Sequence, residues 1–268
     1  MRLIAGLLVA LLAGISFSYS YVGQHGVAAN LARFDLRRPL ANLRQLVASP
    51  RWMVAWLSGW VGWGLYIVAL WLAPLSLVQA VAAGGIGMLA LVSHVLTRPL
   101  SALERRAAIV ASVGLVLIVL SVRAYGQHRA ASPHQLEFTV LAGLVAALLC
   151  VLISRRIGLA IASGICYGVG DVATKGFLSG TPILLAFVAV AFVAGFATLQ
   201  LAFQRNSLLV SGGLSFLFSN VVPLIGGVVL FGERPQGLVL SVLRYSGFVV
   251  VIIGAVAISA TAGTKDSS

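Results

Sequence analysis

Apolar residues come along this chain in long runs, not at the alternating or three-to-four-residue intervals of a half-buried strand or helix. A run of about 18 or more apolar residues is long enough to cross a ~30 Å hydrocarbon core as a helix. Nine such spans are predicted, near 3–22, 53–73, 75–96, 106–122, 137–153, 157–177, 182–203, 207–231 and 240–260. The first reads as a span and not as a signal peptide. Its apolar stretch runs to Val22 without a small-residue cleavage site, and basic residues follow.

Two stretches break the pattern. Segment 23–51 carries Arg33, Arg37, Arg38, Arg44 and Arg51 with Asp35. Its Leu31, Phe34, Leu36, Leu40, Leu43 and Leu46 recur at loose helical intervals. It reads as an amphipathic surface helix interrupted at Pro39, with an ordinary basic loop as the alternative. Segment 123–136, RAYGQHRAASPHQL, is a hydrophilic linker. The expected organisation is a first transmembrane repeat over 1–122, this linker, a second repeat over 137–260, and a polar tail over 261–268.

The two repeats share a pattern. At an offset of 136, VLTRP (95–99) falls on FGERP (231–235), and both follow a long apolar run. After a short insertion Gly114 falls on Gly254. At an offset of 150, Gly14, Ser18, Tyr21 and His25 fall on Gly164, Gly168, Asp171 and Lys175. Four spans then belong to the first half and five to the second. Corresponding helices are separated by five crossings, an odd number, which makes the repeats inverted. Inverted repeats are the usual construction of secondary transporters, with the site near the midplane between them.

Composition agrees with the pattern. The chain is 60% hydrophobic and 9% charged, against roughly 45–50% and ~25% for soluble domains. The net charge of +12 raises nucleic acid as a partner. With nine crossings, however, only Arg2, Arg123, Arg129, Lys175, Arg234 and Arg244 of the eighteen Lys and Arg fall on one side. The basic majority marks the other side as cytoplasmic, with the N-terminus outside and the C-terminus inside. The excess is topological, with anionic headgroups as its partner. No basic soluble domain is present to bind nucleic acid. Cys150 and Cys166 fall in different spans and read as small apolar fillers, not as a disulfide.

Ionic residues inside spans are scarce, so Asp171 and Lys175 in YGVGDVATKG stand out. At 100° per residue, Gly164, Gly168, Asp171 and Lys175 share one face. Small-residue faces are where membrane helices pack closely. Asp171 therefore points inward, as a site for a cation, a proton or a substrate amine, with Lys175 its counter-ion. The competing reading is a permanent ion pair that fixes packing. Tyr167, Gln79, Asn220 and Gln200 are further candidates to line the same cavity, with Gln204 and His94 ranked lower. For Asn220 a hydrogen bond across helices is the plain alternative, and for Pro223 a simple kink. Trp52, Trp56, Trp60 and Trp63 form one stripe, read as lipid-facing with Trp52 an interfacial anchor.

The stretch SFLFSNVVPLIGGVVLFGERP contains Pro223 and then Gly232, Glu233 and Arg234. With WLAPLSLVQAVAAGGIGM in the first half, it resembles the drug/metabolite transporter superfamily, in its EamA-like group. The nine-span NIPA-like branch, named for magnesium transporters, is the most similar. The resemblance implies a fold built from repeated membrane helices and a transport function. The chain departs from it at Thr97, where the family has Glu, and in Val-Gln-Ala, where the family has Val-Gln-Pro.

No G-x-x-x-x-G-K-[ST], H-E-x-x-H or G-x-S-x-G pattern occurs, so no enzyme and no cofactor is expected. The reading is an all-α, polytopic plasma-membrane protein, bacterial inner membrane by its Arg-rich composition. It moves a small metabolite or drug-like solute by alternating access without ATP hydrolysis. A divalent cation such as magnesium is the second substrate class, with its metal ligands unknown. A non-transporting scaffold on a transporter fold is the third reading. A homodimer is left open.

Overall fold

A computed structural model of the chain describes residues 2–32, 34, 39–72, 85–96, 100–121, 132–178, 181–230 and 237–260. They form α1 (Arg2–Ala28), α2 (Pro39–Val47), α3 (Pro50–Leu72), α4 (Gly85–Leu96), α5 (Ala102–Leu120), α6 (Pro133–Ile153), α7 (Ile157–Leu178) and α8 (Leu184–Phe203). A π-helical turn, Leu209–Gly213, then leads into α9 (Leu214–Leu230), and α10 (Leu238–Ala260) follows. The described residues contain no strand. Six helices hold stretches long and apolar enough to cross a membrane: Ile4–Ala28, Pro50–Ala69, Pro133–Ile153, Ile157–Thr174, Leu184–Phe203 and Leu238–Ile258. Gly87–Leu96 and Leu209–Pro223 are shorter apolar helices. The chain is all-α and fits a multi-pass membrane protein.

The outer faces agree with a hydrocarbon surrounding. Val54, Leu57 and Val61 on α3, Phe138, Leu141 and Leu148 on α6, and Val249, Ile252 and Val256 on α10 all point outward. One helix is different. In α7, 72% of the apolar window is buried inside the protein, against 17–28% in the other five. Helix α7 packs against α6, α8 and α9, which makes it the enclosed centre of the second half. In the first half α1 packs against α3 and α4, and α5 packs against α10.

Helix ends follow local chemistry. Helix α1 continues past the predicted limit at Val22 to Ala28, because polar side chains there find partners inside the protein: Gln24 Nε2 donates to Ser20 Oγ at 2.8 Å. Helix α2 begins at Pro39 and is not interrupted by it, as suits a residue with a preset φ and no N–H to leave unpaired. Of its predicted apolar positions Leu46 is buried, while Leu40 and Leu43 are exposed, as is Val47. Helices α5 and α6 begin earlier than predicted, each with a capping box. Ser101 N donates to Glu104 Oε2 at 2.9 Å and Glu104 N to Ser101 Oγ at 3.2 Å. Ser132 and Gln135 repeat the arrangement ahead of Pro133.

The tryptophan stripe is only partly lipid-facing. Trp60 and Trp63 are exposed, but Trp52 is 2% exposed, so it is a core residue and not an interfacial anchor. It stacks on Trp56 and meets Phe196 of α8 edge-on. Cys150 and Cys166 are free thiols, as the fillers they were read to be.

The seam between α5 and α10 is built on glycine. A Cβ on Gly254 would lie 2.7 Å from the Cα and N of Ala111. A Cβ on Gly114 would lie 2.7 Å from Val251 N, and one on Gly247 3.0 Å from Gly114 O. The obstacles are largely backbone, so neither helix can yield without moving as a whole. Where α5 ends, the buried Arg244 of α10 donates from Nε to Ser121 Oγ at 3.0 Å and from Nη2 to Ser121 O at 3.4 Å. A cation at a helix C-terminus is favoured by the helix dipole.

Gly254→Ala should therefore destabilise the protein by about 1–3 kcal/mol, the usual cost of overpacking. Gly14→Ala, where nothing lies within 4 Å of the new methyl, should stay within about 0.5 kcal/mol. Thermal unfolding of the two purified variants in detergent checks the contrast.

Candidate functional site

The small face of α7 sets the site. A Cβ on Gly164 would meet Ser215 and Phe218, and one on Gly168 would meet Val222 at 2.7 Å and the Pro223 ring at 3.0 Å. That side of α7 is held tightly to α9. The neighbouring side faces α8, where Tyr167 lies against Gly195 and its ring is 5.9 Å from that of Phe192. At 100° per residue, Asp171 falls between the directions of Tyr167 and Gly168. That direction points between α8 and α9, and Asp171 is exposed. Among the described residues, no hydrogen bond or ion pair reaches its carboxylate. The backbone of Lys175 lies one turn further along α7. Its side chain lies outside what the structure describes, and with it the predicted Asp171–Lys175 pair.

Beneath Asp171 lies a cluster of hydroxyls that the sequence did not single out. Ser163 Oγ donates to Gly195 O at 2.9 Å and lies 3.0 Å from Ser215 Oγ. One direction satisfies the pair: Ser215 donates to Ser163, and Ser163 to the Gly195 carbonyl. Ser163 and Ser215 are both fully buried. The π-helical turn brings the chain here. It sets Gly212 against the Tyr21 ring, where an added Cβ would lie 2.8 Å from Cδ1. Ser211 Oγ holds the turn by donating to Ala202 O and Ser207 O, both at 3.0 Å. π-Bulges inside helices are frequent at functional sites.

A second polar group joins three helices. Gln200 Nε2 donates to Gln24 Oε1 at 2.8 Å, and Trp52 Nε1 donates to Gln200 Oε1 at 3.4 Å. With the Gln24–Ser20 bond this ties α1 and α3 to α8. Gln200 was predicted to line a cavity. It is instead buried and doubly bonded, well away from Asp171. Gln204 is used by the backbone: its Nε2 donates to Ala32 O at 3.0 Å, and its Oε1 accepts from Phe34 N at 3.0 Å. His94 accepts from Leu100 N at 3.2 Å at the end of α4.

Asn220 is half-buried on α9, and its Nδ2 donates to Phe216 O of its own helix at 2.8 Å, not across to another. Pro223 sits inside α9, which continues through it. Having no N–H, it leaves the Ser219 carbonyl without its helical donor. Gln79, Gly232, Glu233 and Arg234 lie outside the described residues.

The site that results is one exposed carboxylate, with Tyr167 and Gly168 one turn back on α7, Pro223 against Gly168, and the Ser163–Ser215 pair about two turns away along α7. It can accept hydrogen bonds from a cationic or hydroxylated ligand at Asp171. The hydroxyl pair is itself satisfied and serves as a rigid floor. Ser215→Ala removes one of its two hydroxyls. It should cost about 1 kcal/mol, the scale of interhelical hydrogen bonds in membranes, read as a lowered unfolding temperature in detergent.

No family model, no curated protein and no solved structure matches this chain.

Proposed function

We propose that the chain is a secondary transporter that moves a small metabolite or drug-like solute by alternating access without nucleotide hydrolysis. The observation that carries the reading is Asp171: an exposed carboxylate on the most enclosed of the membrane-length helices. A charge within a membrane span costs ~3 kcal/mol on insertion scales, so such residues are characteristically functional. A substrate that supplies a positive or hydrogen-bonding group offsets that cost when it binds and restores it when it leaves.

Nine crossings in two inverted repeats support the same reading. Each predicted span contains a described helix, and α2 is left as a surface helix between the first two. The packing repeats as well: α1 lies against α3 and α4 as α7 lies against α8 and α9, and the last helix of each half packs on the other. In this arrangement the end that holds α2 and the C-terminus of α8 faces the cytoplasm of a plasma membrane, as the arginine distribution indicates.

Proteoliposomes assayed with a panel of organic cations, zwitterionic metabolites and Mg²⁺ should reveal accumulation or counterflow of at least one class. Asp171→Asn should then lower the rate more than tenfold while leaving the unfolding temperature within a few degrees, and Asp171→Glu should recover part of it. Transport by Asp171→Asn at the unsubstituted rate overturns the assignment of the site.

A further inference from the structure

The two ends of the bundle differ. In the antiparallel pair of α7 and α8, Ser163 and Tyr167 stand level with Gly195 and Gly170 with Phe192. On that register Gln200 lies about eleven residues of α7 away from Asp171, or roughly 16 Å at 1.5 Å per residue. Asp171 is exposed at one end. At the other, the two halves are bonded to each other in two layers.

The inner layer is Trp52, Gln200, Gln24 and Ser20, in which Gln24 and Gln200 are both buried. The outer layer pairs His25 Nε2 with Asn206 O at 3.0 Å and Gln204 with Ala32 and Phe34. Rings complete the seal: Phe203 meets Tyr21 and His25 edge-on, with centroids 6.0 and 5.4 Å away. Apart from the Gln24–Ser20 bond within α1, each of these contacts crosses from the first half of the chain to the second.

We propose that the Gln24–Gln200–Trp52 bridge is the closed gate of the transport cycle, which must part before a substrate held at Asp171 can leave by the other end. This rests on the reading of the chain as a transporter. The chemistry suits a reversible latch. Amide–amide and amide–indole bonds are neutral, so breaking them strands no charge in the membrane. Each is of modest strength, because the open state also offers water to the freed groups. A permanent joint would be better served by the glycine seam between α5 and α10, where the backbones themselves meet.

Two measurements test the gate, both in a Cys150→Ala/Cys166→Ala background. In the first, Leu199→Cys, a position buried in the seal, is labelled with a maleimide in detergent. Removing the bridge with Gln24→Leu/Gln200→Leu should raise the labelling rate at least tenfold, and an unchanged rate overturns the proposal. In the second, Gln24→Cys/Gln200→Cys is cross-linked with a short bifunctional thiosulfonate in proteoliposomes. The link should stop transport, and reduction should restore it. A joint that is merely structural permits transport with the link in place, and that result also overturns the gate. Failure of transport before cross-linking counts against the transporter reading alone, and the labelling result then decides the latch.

Discussion

Hydrocarbon supplies no hydrogen bonds, and everything in this structure depends on that. In water a loose polar side chain turns outward. In a bilayer it must find a partner within the protein, or it must face a water-filled space. The chain meets the first condition repeatedly. Thr139, Thr174, Thr198 and Asn220 each donate to a carbonyl one turn back in their own helix. Ser163, Ser215, Gln24 and Gln200 are partnered across helices. Among the described residues no hydrogen bond reaches the Asp171 carboxylate, so the first condition does not cover it. The same rule that explains the other polar groups singles it out.

Close approach between helices is what lets short side chains reach one another. Without a hydrophobic force between helices, association in a membrane relies on packing and hydrogen bonds. Glycine and serine serve both needs here. Gly164 and Gly168 draw α9 against α7, which brings Ser215 within 3.0 Å of Ser163. Larger residues at either glycine would separate the helices and break the hydroxyl pair. The positions that look least functional in the sequence therefore set the floor of the site.

Much of the fold was legible because the bilayer writes a long, simple signal. Runs of apolar residues predicted the helices, and composition predicted their surroundings. Boundaries were read less well where polar side chains sit inside a helix. Gln24 fell in the Arg-rich segment 23–51, yet α1 runs through it and Gln200, distant in sequence, provides its partner. Trp52 was read as the interfacial end of a lipid-facing stripe, yet its indole N–H finds Gln200 within the protein. The Ser163–Ser215 contact left no trace in spacing, because it joins two helices through a π-helical turn whose extra width no periodicity announces. Asp171 was legible because its rule is local: a charge within an apolar run is costly wherever the chain goes afterwards.

The symmetry of the two halves and the asymmetry of their ends bear on each other. In the predicted repeat, Tyr21 occupies the place of Asp171; Tyr21 is half-buried and Asp171 exposed. Tyr21 packs edge-on against Phe203, and a phenol can be satisfied by a neutral partner. A carboxylate cannot be satisfied so cheaply in hydrocarbon. One repeat thus carries a residue that closes against its neighbour, and the other carries a residue that needs a ligand, an ion or water. If the two halves are repeats as proposed, a frame loaded this unequally has a reason to be sealed at the tyrosine end and open at the aspartate end. Reversing the openings requires that the amide bridge give way to water at the same time as Asp171 gains a partner. In the proposed transport cycle, that coupling between a neutral latch and a single charge is what alternating access amounts to physically.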